Sequence, residues 1–201
     1  MKEIPGGLLR SKEHYEGLQL ARLSLAGQAA ERVYVAESQF QQVEMSRTRL
    51  SRLEVLDVRF SGCNLANAEW FPAFFQRAEW LTCQMTGLML IEADMQDALF
   101  KECKLTFAQF RFTKFKRVCF EDCDLSEADF QEADLTGVSF INCNLSNAEM
   151  SKAKLKGVDL RTTQLEGLRV GQQEMQGAII NPTQAVALVQ ALGIVVKWPE
   201  E

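Results

Sequence analysis

Large apolar residues return at every fifth position of this chain. From Leu20 to Ile180, each residue whose number is a multiple of five is large and apolar except Ala30, so 32 of 33 positions conform. Two residues earlier the side chain is small or β-branched, as in Cys63, Ala68, Ala73, Ala78, Cys83, Ala93, Ala98, Cys103, Ala108, Thr113 and Val118, interrupted by Leu88. The position between them favours Asn, Asp or Glu, as at Asn64, Glu69, Asp94 and Asn144. In extended backbone, residues two apart point to the same side, so the small and the large residue of each unit face inward together. The other three residues face outward and turn a corner. Eight of the twelve glycines sit two positions after a large residue, where a type II turn needs a positive φ. Each unit therefore reads as a short strand plus a corner, and the strict period of five excludes both an α-helix and a heptad coil here.

A second period sets the shape of the coil. Cys63, Cys83, Cys103, Cys123 and Cys143 lie twenty residues apart in the small inward slot, and Phe40, Phe60, Trp80, Phe100, Phe120 and Phe140 keep the same interval. Twenty residues at five per side make four sides. The 33 units then predict about eight coils and a rod about 40 Å long at the roughly 4.8 Å spacing of paired strands. The quartets Cys63-Asn64-Leu65-Ala66, Ala128-Asp129-Phe130-Gln131, Ala133-Asp134-Leu135-Thr136 and Cys143-Asn144-Leu145-Ser146 follow the consensus A-(D/N)-L-x-x, and over about residues 18–180 the chain resembles the pentapeptide-repeat family. That resemblance implies an all-β fold, a right-handed quadrilateral parallel β-helix, consistent with the handedness of parallel crossovers.

The two ends must cover the open edges of the stack. Residues 1–17, with Pro5, Gly6 and Gly7, are expected to form a loose N-terminal cap on a β-helix spanning 18–180. Residues 181–201 form a C-terminal unit: Asn181 is a good N-cap, Pro182 suits the first helical position, and Ala185, Leu188, Val189 and Leu192 fall on one helical face before Gly193. Ile194-Val195-Val196-Lys197-Trp198 reads as a short strand. This unit either plugs the last coil or also pairs with a second copy, with Ile194, Val196 and Trp198 available to both. The tail from Met175 to Lys197 is similar to the C-terminal helix and strand of pentapeptide proteins that protect DNA gyrase, and that similarity implies a homodimer. Members that confer quinolone resistance interrupt their coils with projecting loops, whereas the phase here is unbroken from 20 to 180, so no gyrase-contacting residue carries over.

Composition narrows the chemistry. With His14 as its one histidine, the chain cannot build a zinc site of several His ligands or a well-placed catalytic dyad. No run of about 18 apolar residues is present, so a membrane span is not expected, and the opening segment lacks a secretory h-region, which places the chain in the cytoplasm. A net charge of −5 argues against direct nucleic-acid binding. No phosphate loop, nucleophile elbow or metalloprotease motif appears, so catalysis, cofactors and metals are not expected. The five periodic cysteines read as buried free thiols; Cys119, outward and near Lys116 and Arg117, opens a redox-responsive alternative.

Two outer surfaces remain as candidates. Wrapping at twenty places Phe71, Pro72 and Phe74 on one edge, with Ile91 one coil above Phe71 and Phe112 two coils above Pro72, a candidate protein-binding patch. Charge is also segregated: residues 101–117 sum to +5 and residues 121–149 to −8. The acidic face of Asp122, Asp124, Glu127, Asp129, Glu132 and Asp134 either imitates DNA phosphates toward a basic partner such as gyrase, as the resemblance implies, or is a solvated face whose carboxylates serve the turns. A scaffold that binds an unknown protein is the alternative to gyrase protection.

Overall fold

The computed structural model describes Ile4, residues 7–191 and residues 194–197, and in it the chain winds into a parallel β-solenoid. The strands are β1 (His14–Glu16), β2 (Gln19–Ala21), β3 (Ala29–Glu31), β4 (Tyr34–Gln41), β5 (Arg49–Ser51), β6 (Leu53–Ser61), β7 (Ala73–Leu81), β8 (Asp94–Lys101), β9 (Lys114–Glu121) and β10 (Val138–Ile141), followed by helix α1 (Pro182–Ala191). Every pairing is parallel with a register of twenty, for example Phe40 on Phe60, Phe60 on Trp80 and Phe100 on Phe120. The main sheet stacks β4, β6, β7, β8, β9 and β10 in that order, with β1 and β2 both on the free edge of β4. Continuous strand pairing thus holds a shorter stack than the eight coils expected. The remaining levels keep the same register through isolated bridges as far as Asp159 on Ile179.

The corners explain the period. Positive φ recurs two residues after each large side chain, as at Gly62 (φ 60), Asn67 (φ 54), Arg77 (φ 51), Thr82 (φ 52) and Gly87 (φ 67), four corners per coil; Pro72 takes one corner after a cis peptide. The Ala68 amide donates to the Leu65 carbonyl at 3.1 Å and the Ala128 amide to Leu125 at 3.1 Å, which closes type II turns from the large residue to the next small one. Side chains in the preceding slot brace the same corners: Asn64 Oδ1 accepts from the Ala66 amide at 3.0 Å, Asp129 Oδ1 from Gln131 at 2.9 Å and Asn144 Oδ1 from Ser146 at 3.0 Å. These are Asx turns, the reason Asn and Asp dominate that slot.

Both inward slots are buried throughout coils 63–160, so the core is one continuous column. Its axis is an aromatic ladder: Phe40–Phe60 at 4.8 Å, Phe60–Trp80 at 5.6 Å, Trp80–Phe100 at 4.4 Å, Phe100–Phe120 at 4.7 Å and Phe120–Phe140 at 5.3 Å, all stacked. Each such pair adds about 0.5–1.5 kcal/mol beyond its area. The thiols line a parallel column, each close to two carbonyl oxygens, as Cys103 Sγ is to those of Trp80 at 3.4 Å and Lys101 at 3.3 Å.

Both ends depart from the regular coil. At the start, Gln28 accepts from the Leu9 amide at 2.8 Å and donates to the Gly7 carbonyl at 3.0 Å, and β1 pairs with β4 from His14 onward. Near the other end, the unbroken phase expected to Ile180 gives way over residues 172–177 to consecutive turns. There Glu174 Oε1 takes the Lys152 amide at 2.9 Å, the acceptor role that backbone carbonyls fill elsewhere. The short strand expected over Ile194–Trp198 is not formed in residues 194–197. A strand needs a neighbouring edge to pair with, and α1 already occupies the end of the stack. Leu192, Gly193 and Trp198 lie outside the described residues.

Candidate interaction surfaces

The outward slots build ladders of charge, because residues twenty apart lie side by side. Arg77 clamps Asp57 through two bonds of 2.5 and 2.7 Å, and Arg117 clamps Asp97 in the same way at 2.5 and 2.7 Å. The Arg77 and Arg117 guanidinium groups, donating to these carboxylates, hold Asp57 and Asp97 below the usual aspartate range. Arg59–Glu79 at 2.7 Å and Lys101–Glu121 at 2.7 Å continue the pattern.

Contacts to other coils engage all six residues of the acidic face. Glu132 meets Lys152 at 3.0 Å, Asp134 meets Lys154 at 2.8 Å, Asp129 meets Arg111 at 3.6 Å and Glu127 meets Arg169 at 3.7 Å. Asp122 accepts from Asn142 at 3.2 Å, and Asp124 Oδ1 accepts from Asn144 at 3.1 Å and Ser126 Oγ at 2.8 Å. Partial burial opposes ionisation of Asp134, yet the Lys154 ammonium and Thr136 together keep its carboxyl below the usual range. The basic and acidic stretches meet at Lys101–Glu121 and Arg111–Asp129, and the other ion pairs of the acidic face draw on Lys152, Lys154 and Arg169 from the following coils.

The apolar patch keeps its exposure. Phe71 is 36% exposed, Phe74 38% and Phe112 47%, with Pro72 exposed and Ile91 half-buried. Phe71 and Ile91 are adjacent at one slot, whereas Glu92 occupies the level between Pro72 and Phe112, and Asp94 pairs in register with both Phe74 and Lys114. Phe107, at a corner of the same coil as Phe112, is 59% exposed; its signal in the sequence is an aromatic residue in a corner slot that, apart from Phe112 and Pro72, is held by glycine or polar residues.

At the C-terminal end, Asn181 and Gln184 form a reciprocal capping box: Gln184 N donates to Asn181 Oδ1 at 2.9 Å and Asn181 N to Gln184 Oε1 at 2.8 Å. Gln184 is buried and its Nε2 donates to the Leu160 and Thr163 carbonyls, both at 2.7 Å, while Asn181 Nδ2 donates to Arg161 O at 2.8 Å. The helix start therefore gives the Thr163 carbonyl a donor and adds one to the Leu160 carbonyl, which the Thr163 amide and hydroxyl also reach. Ala185, Leu188 and Val189 face Leu168, Val170, Met175, Ala178 and Ile180 across an apolar groove. Ile194 and Val195 are exposed at 54% and 77%, and Val196 is half-buried.

Cys119 is partly buried between Leu99 and Ser139 on the main sheet. Burial first, then the Glu121 carboxylate, pushes its thiol above the ordinary range, with Lys101 weakly opposing; the nearby Arg117 is committed to Asp97. Among the described residues no group of three or more His, Cys, Asp or Glu side chains is placed to hold a metal ion.

A family model described as a pentapeptide repeat region matches residues 73–138, and one described as pentapeptide repeats in eight copies matches residues 123–161. Residues 73–161 of the chain are pentapeptide repeats. No curated protein matches it. Among solved structures it is similar to QnrB1, a plasmid-mediated fluoroquinolone resistance protein, trypsin-treated, at 19% identity and a TM-score of 0.38 over 91% of this chain and 99% of that one. It is also similar to HetL, a pentapeptide repeat protein involved in heterocyst differentiation regulation from the cyanobacterium Nostoc sp. strain PCC 7120, at 18% identity and a TM-score of 0.42 over 83% and 89% of the two chains. Like other solenoids, the coils over residues 63–160 enclose their core and leave their chemistry to the outward slots and the ends of the stack.

Proposed function

We propose that this protein is a non-enzymatic interaction protein of the cytoplasm that binds another protein through its outer surface and dimerises through its C-terminal unit. The observation that carries this reading is the exposed aromatic patch on a rod whose core is otherwise closed. Exposed Phe71, Phe74 and Phe112 resemble the aromatic anchors that dominate protein interfaces, and the convex exterior lacks the water-excluding cleft that catalysis needs. The apolar groove beside α1 supports pairing through the C-terminal unit.

The narrower version is protection of DNA gyrase, and it rests on the similarity of Met175–Lys197 to the tails of gyrase-protecting relatives. Imitation of a phosphate backbone is the weaker route to such a contact, since four of the six acidic-face carboxylates are already ion-paired within the chain. The test is a supercoiling assay with gyrase and a quinolone. Relief of inhibition at micromolar protein is the expected result, and no change in supercoiling or cleavage removes the gyrase reading. A monomeric mass in solution removes the dimer.

A further inference from the structure

Twenty-three non-glycine residues among those described hold a positive φ, and twenty-one are polar or charged; the exceptions are Phe107 and Phe112, both at φ 60. The left-handed conformation costs an L-residue roughly 1–2 kcal/mol, and a large exposed ring adds an apolar surface cost without enclosing itself in the core. Both rings belong to one coil, on the side of the rod that also carries Phe71 and Ile91.

Two carboxylates at this place are free as well. Carboxylates along the rod are largely engaged across coils, but Glu92 and Asp94 are exposed and form no ion pair or side-chain hydrogen bond among the described residues. Glu92 stands at the corner level between Pro72 and Phe112, as the bond from its amide to Arg111 O at 2.9 Å and that from the Phe112 amide to Gln131 O at 3.0 Å place it. Asp94 lies in register between Phe74 and Lys114. Glu92 thus sits between the apolar Pro72 and Phe112 on the adjacent coils, and Asp94 has the Phe74 ring on one side and Lys114 on the other.

We propose that this face is a docking site for a partner segment in which arginine alternates with apolar side chains. A guanidinium seated on Glu92 and Asp94 would be bonded by carboxylates and covered by the rings of Phe112 and Phe74, an arrangement that suits a planar, weakly hydrated cation better than an ammonium. The apolar neighbours would rest on Phe71 and Ile91. This inference rests on the reading that the rod binds protein through its outer surface, and it adds the chemistry of the partner.

The test is fluorescence anisotropy with a labelled ten-residue peptide of alternating Leu and Arg, against counterparts carrying Lys, Glu or Ser in place of Arg. Saturable one-to-one binding of the Arg peptide is expected, at least tenfold tighter than the Lys and Glu peptides and at least tenfold weaker in the Glu92→Gln/Asp94→Asn variant. Phe112→Asn should weaken binding comparably while leaving thermal stability unchanged or higher, because Asn tolerates the left-handed conformation; a merely structural ring would not produce that split. Glu102→Gln, at an exposed corner elsewhere on the coil, should bind as the parent does. Equal binding of Arg and Glu peptides, an equal loss in Glu102→Gln, no binding, or a Phe112-dependent self-association in place of peptide binding would each overturn the proposal. A gyrase assay that is positive while the peptide fails to bind discards this site alone, and the converse discards gyrase alone.

Discussion

The two buried tryptophans occupy equivalent inward slots but differ in one bond. Trp70 Nε1 donates to Thr48 Oγ1 at 2.9 Å, and Thr48 in turn donates to the Met45 carbonyl at 2.8 Å. Trp80 Nε1 is buried without a partner, although its ring stacks between Phe60 and Phe100. An unmet buried donor costs about 1–3 kcal/mol, and every other member of that ladder is Phe. Trp80→Phe should therefore destabilise less than Trp70→Phe by about 1 kcal/mol in urea denaturation. At Cys119, where burial raises the thiol above its ordinary range, alkylation at neutral pH should run slower than for a free thiol in the unfolded chain. Labelling as fast in the folded protein would revive a redox role.

Among the elements, the corners and the terminal helix carry the sharpest tests. Gly87 and Gly137 share the left-handed conformation at φ 67 and 84, but a Cβ on Gly87 would come within 2.5 Å of Asn67 Oδ1, whereas the nearest atom to one on Gly137 is Arg117 N at 3.9 Å. Gly137→Ala should cost about 1 kcal/mol for the backbone alone, and Gly87→Ala should cost more, because Asn67 must move as well. For α1, Gln184→Ala removes half of the capping box and the buried donor of the Thr163 carbonyl, while the Leu160 carbonyl keeps the Thr163 amide and hydroxyl. A loss of about 2 kcal/mol is expected, read as faster hydrogen exchange over 181–191 with the earlier coils unchanged. The same substitution at exposed Gln190 should leave exchange as it is.

On the scale of the whole rod, stability is a sum over neighbouring coils, and the thiol column gives it a pH dependence. Donation of the Cys123 thiol proton to the Cys103 sulfur, then burial, pushes Cys123 up to about 12, and Cys83 and Cys103 also reach about 12. Groups with a raised folded pKa keep protons that the unfolded chain releases, so their contribution is complete below the ordinary value of 9.0 and is lost as pH climbs toward 12. The melting temperature should fall across that window under reducing conditions, and a Cys83→Ala/Cys103→Ala variant should fall less steeply relative to its own value at pH 8. An equal slope would show that the column does not titrate as a buried unit.

Coil geometry was legible in the residues because a solenoid writes local rules into every unit: the period of five names the inward slots, Cys63 to Cys143 measure the circumference, and Asn or Asp before the large residue announces the corner. The N-cap at Asn181 was legible for the same reason, since it depends on neighbours in sequence. What lay beyond reach was lateral. That Lys152, Lys154 and Arg169 pair with the acidic face, that Glu92 stands unpaired between Pro72 and Phe112, that Gln184 reaches the Leu160 carbonyl and that residues 172–177 leave the coil all depend on which side chains meet across adjacent turns. The sequence by itself determined the path of the backbone, because that follows from sterics and burial repeated every five residues. Only the tertiary structure decided which outward groups are spent on one another and which remain free for a partner, because those pairings form between residues twenty apart and depend on side-chain reach.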